Sequence, residues 1–217
     1  MTSLRIVVVD DHAVVRRGVR ALLESQTGWE VSAEATTGRE AVDVAKRLQP
    51  DIVVMDLSLP ELNGLDATRQ ILKESPRTEV LVLTMHHSEE LARNVLQAGA
   101  RGYILKSDAD ESLIAAVESL RQHKPFLTSK VTEFVLDDYL RRAEAQDDEA
   151  PHTPVTARER EIIQLLAEGK SNKEAAAALG ISVKTIEAHR ANLMRKLRLR
   201  SLSDLIRYAI RNKIVQV

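Results

Sequence analysis

Four runs of consecutive apolar residues, Ile6-Val7-Val8-Val9, Ile52-Val53-Val54-Met55, Val80-Leu81-Val82-Leu83 and Gly102-Tyr103-Ile104-Leu105, recur through the first half of the chain. Amphipathic stretches of helical length separate them. The pattern predicts strands at 4–9, 31–35, 51–55, 80–84 and 102–105, alternating with helices at about 12–25, 39–48, 65–74, 88–98 and 110–122. Turn formers fall between these elements at Pro50-Asp51, Asn63-Gly64, Ser75-Pro76 and Gly99. Strands alternating with helices make a parallel sheet. In an open parallel sheet ligands bind beyond the carboxyl ends of the strands, and four of the runs end there in a residue suited to phosphate or metal: Asp10 with Asp11, Asp56, Thr84 and Lys106.

Past Lys124-Pro125 the pattern weakens. Residues 126–139 carry a faint helical period, and 141–154 turn polar, acidic and proline-bearing, which reads as an interdomain linker. Three of the four short helices that follow open with a capping pattern: Thr156 with Glu159, Ser171 with Glu174, and Ser201 with Asp204. Helix 172–179, a turn at Gly180-Ile181 and helix 182–197 form a helix-turn-helix unit. The expected organisation is an α/β domain at 1–125, a linker at 126–153, partly helical and then flexible, and a helix-turn-helix domain at 154–217.

Charge sharpens the division. Residues 151–217 hold 13 Lys/Arg against 6 Asp/Glu, whereas 1–150 hold 18 against 26, a contrast hidden in the overall charge of −1. A basic module on an acidic partner suits nucleic acid or another anionic surface. The chain has no cysteine, so disulfides and thiolate metal sites are excluded. The first apolar run stops at Asp10, too short for a signal core or a membrane span, and a soluble cytoplasmic protein is expected.

Two adjacent carboxylates facing a third, without thiolate or clustered imidazole, suit a hard divalent cation such as Mg²⁺. The cation and Lys106 would neutralise an incoming phosphoryl group, and Asp56 would be the attacking carboxylate. Alternatively, Asp10 and Asp11 merely cap the helix beginning at His12. Capping leaves Asp56, Thr84 and Lys106 at the matching ends of three other runs unexplained.

Asp10-Asp11, Asp56 with the Leu-Ser-Leu-Pro-Glu-Leu-Asn-Gly that follows it, Thr84-Met85-His86 and Gly102-Tyr103-Ile104-Leu105-Lys106 resemble the receiver domain of two-component response regulators over about residues 4–122. The resemblance implies a five-stranded, doubly wound, flavodoxin-like α/β sheet in the order 2-1-3-4-5. It also implies that Asp56 accepts a phosphoryl group from a histidine kinase. Asp10, Asp11, Asp56 and the backbone carbonyl of Ser58 would hold Mg²⁺, with Asp10 acting through water. Lys106 and Thr84 would respond to the phosphoryl group, and Tyr103 would be the aromatic switch whose ring turns inward; the other reading of Tyr103 is a half-buried tyrosine on an edge strand. Ser58 and His86 lie where the family tunes phosphoryl lifetime.

Residues 154–217 resemble the LuxR-type helix-turn-helix domain of the NarL/FixJ class, through Thr156-Ala157-Arg158-Glu159, Gly169-Lys170-Ser171-Asn172-Lys173-Glu174 and Val183-Lys184-Thr185-Ile186-Glu187-Ala188-His189-Arg190. This implies a small all-α domain of four helices. Helical geometry places Ile186, Leu193 and Leu197 on one face of the second helix, and Lys184, Glu187, Ala188, Ala191 and Arg195 on the other. In a major groove, Glu187 would accept from cytosine, Ala188 or Ala191 would meet a thymine methyl, and Lys184, Thr185, Asn192, Arg195 and Lys196 would hold phosphates. A solvated face explains the same charges without DNA.

The expected function is a phosphorylation-controlled transcription factor. Its enzymatic chemistry would be limited to its own phosphorylation and dephosphorylation, and a phosphodonor would be its sole small-molecule substrate. Its expected partners are a sensor kinase, an operator duplex and, when phosphorylated, a second copy; no membrane contact is expected. A haloacid-dehalogenase-type phosphatase is the enzyme alternative, but the general acid its motif requires is replaced by Ser58.

Overall fold

The computed structural model describes residues 3–85, 88–128, 131–132, 155–197, 199–212 and 214–215. These form two compact units. His86 and the linker from residue 133 to 153 lie outside the described residues.

The first unit is a parallel sheet with helices on both faces. Its elements are β1 (Leu4–Val9), α1 (Ala13–Glu24), β2 (Trp29–Ala35), α2 (Gly38–Leu48), β3 (Ile52–Met55), α3 (Gly64–Glu74), β4 (Glu79–Thr84), α4 (Glu89–Gln97), β5 (Gly102–Leu105), α5 (Ala109–Arg121) and β6 (Phe126–Leu127). The strand order is β2-β1-β3-β4-β5-β6, with every neighbouring pair parallel. The predicted order 2-1-3-4-5 therefore stands, extended by one strand. Burial on both faces explains why β3 and β4 read as unbroken apolar runs. Ile6, Val8, Ile52, Val54, Leu81, Leu83 and Ile104 pack against Val19 and Leu23 of α1 and Leu113, Val117 and Leu120 of α5. The alternate residues Val7, Val53, Val82 and Tyr103 are buried on the opposite face.

The sixth strand corrects the expectation that 126 begins a helical linker. Phe126 and Leu127 pair with Gly102 and Tyr103, whereas helical backbone appears only at Val131 and Thr132 among the residues described there. Two residues are too few to show a strand period, and the pairing comes from a free sheet edge rather than from local preference.

The second unit comprises α6 (Ala157–Ala167), α7 (Asn172–Leu179), α8 (Val183–Lys196) and α9 (Leu202–Arg211) around Ile162, Leu166, Ala176, Leu179, Ile186, Leu193, Leu205 and Ala209. The capping boxes at Thr156/Glu159 and Ser171/Glu174 are both complete. At the third site Ser201 accepts from the backbone of Asp204, but the Asp204 carboxylate reaches back to the N–H of Arg200 and the hydroxyl of Ser201. Between α7 and α8, Gly180 takes the left-handed conformation that ends a helix, with φ +64°.

Candidate functional site

The carboxyl ends of β1, β3 and β5 bring Asp10, Asp56 and Lys106 together. Asp10 and Asp56 are each 2% exposed. The Lys106 ammonium lies 2.6 Å from Asp10 Oδ2 and 3.0 Å from Asp56 Oδ2. Each carboxylate is anchored through its other oxygen: Asp10 Oδ1 accepts from the His12 N–H at 2.8 Å, and Asp56 Oδ1 from the Leu57 N–H at 2.8 Å. Apart from the ion pairs with Lys106, the two Oδ2 atoms have no hydrogen-bond partner. Lys106 satisfies both oxygens with one ammonium, and the lone pairs they keep define the side of the pocket that can take a further ligand.

The capping alternative accounts for one oxygen of one residue. His12 is the N-cap of α1, and Asp11 turns its carboxylate to the His12 ring at 2.7 Å. Ligand atoms of Asp10, Asp11, His12 and Asp56 all fall within 4.8 Å of one another. His12 was not among the sequence candidates, since a lone imidazole next to two aspartates carries no spacing signal. Three of the four residues offer hard carboxylate oxygens, and Asp10 Oδ2 and Asp56 Oδ2 share a single ammonium and keep further lone pairs, so a small divalent cation fits the set.

The pocket carries three carboxylates against one ammonium. Burial raises the Asp56 carboxyl above its ordinary value, with a further push from Asp10, and the attraction of Lys106 only partly offsets it. For Lys106, burial disfavours the charge, but Asp10 and Asp56 outweigh it and hold the ammonium above its ordinary value. The amine stays charged, and the pocket keeps an excess of negative charge that a cation would balance.

Thr84 is wholly buried at the end of β4. Register pairs Val82 with Tyr103, so Thr84, two residues on, is the diagonal neighbour of Tyr103 on the same sheet face. Tyr103 is 1% exposed, and burial pushes its phenol up to about 12. The edge-strand reading of Tyr103 is thereby corrected, because β6 makes β5 an interior strand. Ser58 is half-buried in the loop after β3. Gly64 is a further determinant: a Cβ there would stand 2.0 Å from the Asp56 carbonyl oxygen. The sequence marked Asn63-Gly64 only as a turn, and the close approach behind the glycine appears in three dimensions alone.

In the second unit, all eight predicted DNA-facing residues of α8, Lys184, Thr185, Glu187, Ala188, Ala191, Asn192, Arg195 and Lys196, are exposed, while Ile186 and Leu193 are buried. His189 and Arg190 lie half-buried at the boundary, and Arg190 reaches Asn172 of α7. Arg195 donates to Asn192. Lys196 is engaged within its own unit, where its ammonium is 2.7 Å from Glu159 of α6, the residue that also closes the first capping box. Val183, the first residue of α8, is 40% exposed.

Comparison with known proteins matches both units. A model of the response regulator receiver domain fits residues 6–118, and one of the luxR family of bacterial regulatory proteins fits residues 153–209. The oxygen regulatory protein NreC of Staphylococcus carnosus is 40% identical over 98% of this chain and 99% of its own length. A LuxR-family two-component response regulator from Aurantimonas sp. SI85-9A1 superposes with a TM-score of 0.60 at 35% identity, covering 64% of this chain and 99% of that one. The response regulator RcsB, solved as two dimers bound to two parallel DNAs, gives 0.58 at 26% identity over 95% of this chain and 98% of that one.

Proposed function

Since the chain belongs to the response regulators, with a receiver domain joined to a luxR-family DNA-binding domain, we propose that Asp56 is its phosphoacceptor and α8 its DNA-recognition helix. The protein is a phosphorylation-dependent transcription regulator of two-component signalling. The observation that supports the assignment of Asp56 best is the buried pair of carboxylates bridged by Lys106, each with one oxygen fixed by a backbone N–H and the other turned to the pocket.

Asp56 Oδ2 attacks the phosphorus of a phosphohistidine on a sensor kinase or of a small acyl phosphate. The new O–P bond forms as the donor's bond to phosphorus breaks, and the leaving group departs with the electron pair. Lys106 pairs with the phosphoryl oxygens, and the Thr84 hydroxyl moves to meet them while Tyr103 occupies the space beside it. Asp11, Asp56 and the Ser58 carbonyl, with Asp10 acting through water, would hold Mg²⁺, which would neutralise phosphoryl charge. Phosphoryl transfer needs positioning and charge balance more than a general base, and the pocket needs no further side chain. Hydrolysis of its own aspartyl phosphate reverses the step, and with these two reactions on itself the protein works in the cytoplasm as a switch. Phosphorylation changes its dimerisation or the access of α8 to an operator duplex. Glu187, Ala188 and Ala191 read bases, and Lys184, Thr185, Asn192 and Arg195 hold phosphates. Lys196 joins them only by leaving Glu159.

Intact mass after incubation with acetyl phosphate, with and without Mg²⁺, tests the reading. One phosphoryl adduct that requires both Mg²⁺ and Asp56, absent in Asp56→Asn, is expected. An adduct that persists in Asp56→Asn overturns the assignment.

A further inference from the structure

The chain leaves the receiver by a route that nothing in a five-stranded sheet requires. After α5, His123 takes a left-handed turn with φ +57°, and the backbone is then fastened at successive points. The His123 ring lies 2.9 Å from Glu79 Oε1 at the start of β4. Arg101, just before β5, donates to the His123 carbonyl at 2.8 Å and lies 3.5 Å from the same Glu79. Ser119 donates to the Lys124 carbonyl, and the Phe126 N–H donates to the Arg101 carbonyl at 3.0 Å. A non-glycine residue held in the left-handed region is sparsely populated and persists only where its surroundings impose it.

The clip sets a register in which Leu127 pairs with Tyr103. Tyr103 is thus held from two sides, by Val82 of β4 and by Leu127 of β6. Lys106 follows β5 directly and spans Asp10 and Asp56. Strand β6 has two residues at a sheet edge, so its pairing is marginal and responds to small changes in its neighbour. It is the last strand before the stretch of sequence that joins the receiver to the DNA-binding unit.

We propose that β6 is a signal-transmitting strand: the state of the Asp56 pocket, acting on β5 through Lys106 and Tyr103, sets how firmly Phe126 and Leu127 are paired and thereby where the sheet ends along the chain. The inference rests on Asp56 being the phosphoacceptor. When Lys106 turns to a phosphoryl group, the carboxyl end of β5 shifts, and the bonds that β5 shares with β6 are the first on that edge to adjust.

Two measurements on the full chain test it, with beryllofluoride and Mg²⁺ standing in for the aspartyl phosphate. In amide hydrogen exchange, residues 102–105 and 126–128 are expected to change together on adding beryllofluoride, by about tenfold in rate. A change at 102–105 with none at 126–128 overturns the proposal while leaving Asp56 in place. No change in either, with no phosphoryl adduct by intact mass, removes the reading beneath it; no change in either despite an adduct overturns the proposal alone. The second measurement uses reciprocity, since two coupled sites must affect each other equally. Phe126→Pro abolishes the donor to Arg101 and is expected to shift the beryllofluoride affinity of Asp56 by about threefold or more. Phe126→Ala removes the ring but keeps the donor, and its smaller shift separates pairing from packing. Equal affinity in wild type and Phe126→Pro, or equal shifts in the two variants, overturns the proposal.

Discussion

Gly64→Ala places a methyl group where the main chain leaves none. After β3 the backbone folds back so that the Gly64 N–H donates to the Leu57 carbonyl at 3.0 Å. A Cβ built on Gly64 would lie 2.0 Å from the Asp56 carbonyl oxygen and 2.8 Å from Leu57 Cα. Carbon approaches a carbonyl oxygen to about 3.3 Å at closest, so the two segments must part by roughly an ångström. Both contacts are main chain, with no rotamer to yield. Overpacking of this kind costs about 1–3 kcal/mol, a fall of about 3–10 °C in the melting temperature of the receiver unit. The same displacement moves Asp56, whose Oδ2 is now 3.0 Å from Lys106. Misplacing a reacting group by about 1 Å costs on the order of 100-fold in rate. The assay is the rate of adduct formation with acetyl phosphate and Mg²⁺, followed by intact mass, with thermal melts on the same preparations. Gly18→Ala is the control: a Cβ there meets nothing within 4 Å on helix α1, so stability is expected to rise by up to about 1 kcal/mol with no change in rate. A Gly64→Ala protein that melts with the wild type and takes the phosphoryl group at the wild-type rate would refute the reasoning.

Four further outcomes follow from the pocket and the α8 face. Burial holds the Asp56 carboxyl above its ordinary value when folded, so its contribution to stability is complete below about pH 4 and is lost as pH rises through the folded value. Asp56→Asn is therefore expected to gain on the wild type as pH rises above about 4 in Mg²⁺-free calorimetry, and a gap that does not vary with pH would count against the burial argument. Adding Mg²⁺ is expected to stabilise the wild type by about 2.7 kcal/mol at a hundredfold excess over Kd; Asp11→Asn should lose most of that gain, and an equal gain in both would remove Asp11 as a ligand. On duplex DNA, Glu187→Ala should relax one base-pair position by about 1–3 kcal/mol, whereas Arg195→Ala should weaken all sequences and lower the salt slope by about one. Lys196→Ala, whose ammonium is paired with Glu159, is expected to change that slope less than Arg195→Ala, and the reverse order would show Lys196 to be a phosphate contact.

The amino-acid pattern by itself determined the alternation of strands and helices, the two-part organisation and the residues that gather at the pocket. Buried parallel strands must be continuously apolar, helices on a core must carry a 3.6-residue period, and both signals are local. Asp10, Asp56, Thr84 and Lys106 were legible because each ends such a run. The exposed face of α8 was legible because its period places Ile186 and Leu193 opposite the charges. Tertiary structure alone decided the rest. Strand β6 exists because β5 offers an open edge, not because Phe126-Leu127 prefers extended backbone. Its pairing makes β5 an interior strand, which periodicity could not reveal. The requirement for glycine at position 64 comes from the Asp56 carbonyl, eight residues earlier in the chain. Lys196 reads as a free cation until α6 folds beside it and Glu159 takes its charge. In each of these cases the deciding atom belongs to a different turn or element, and a one-dimensional period holds no record of which surfaces meet.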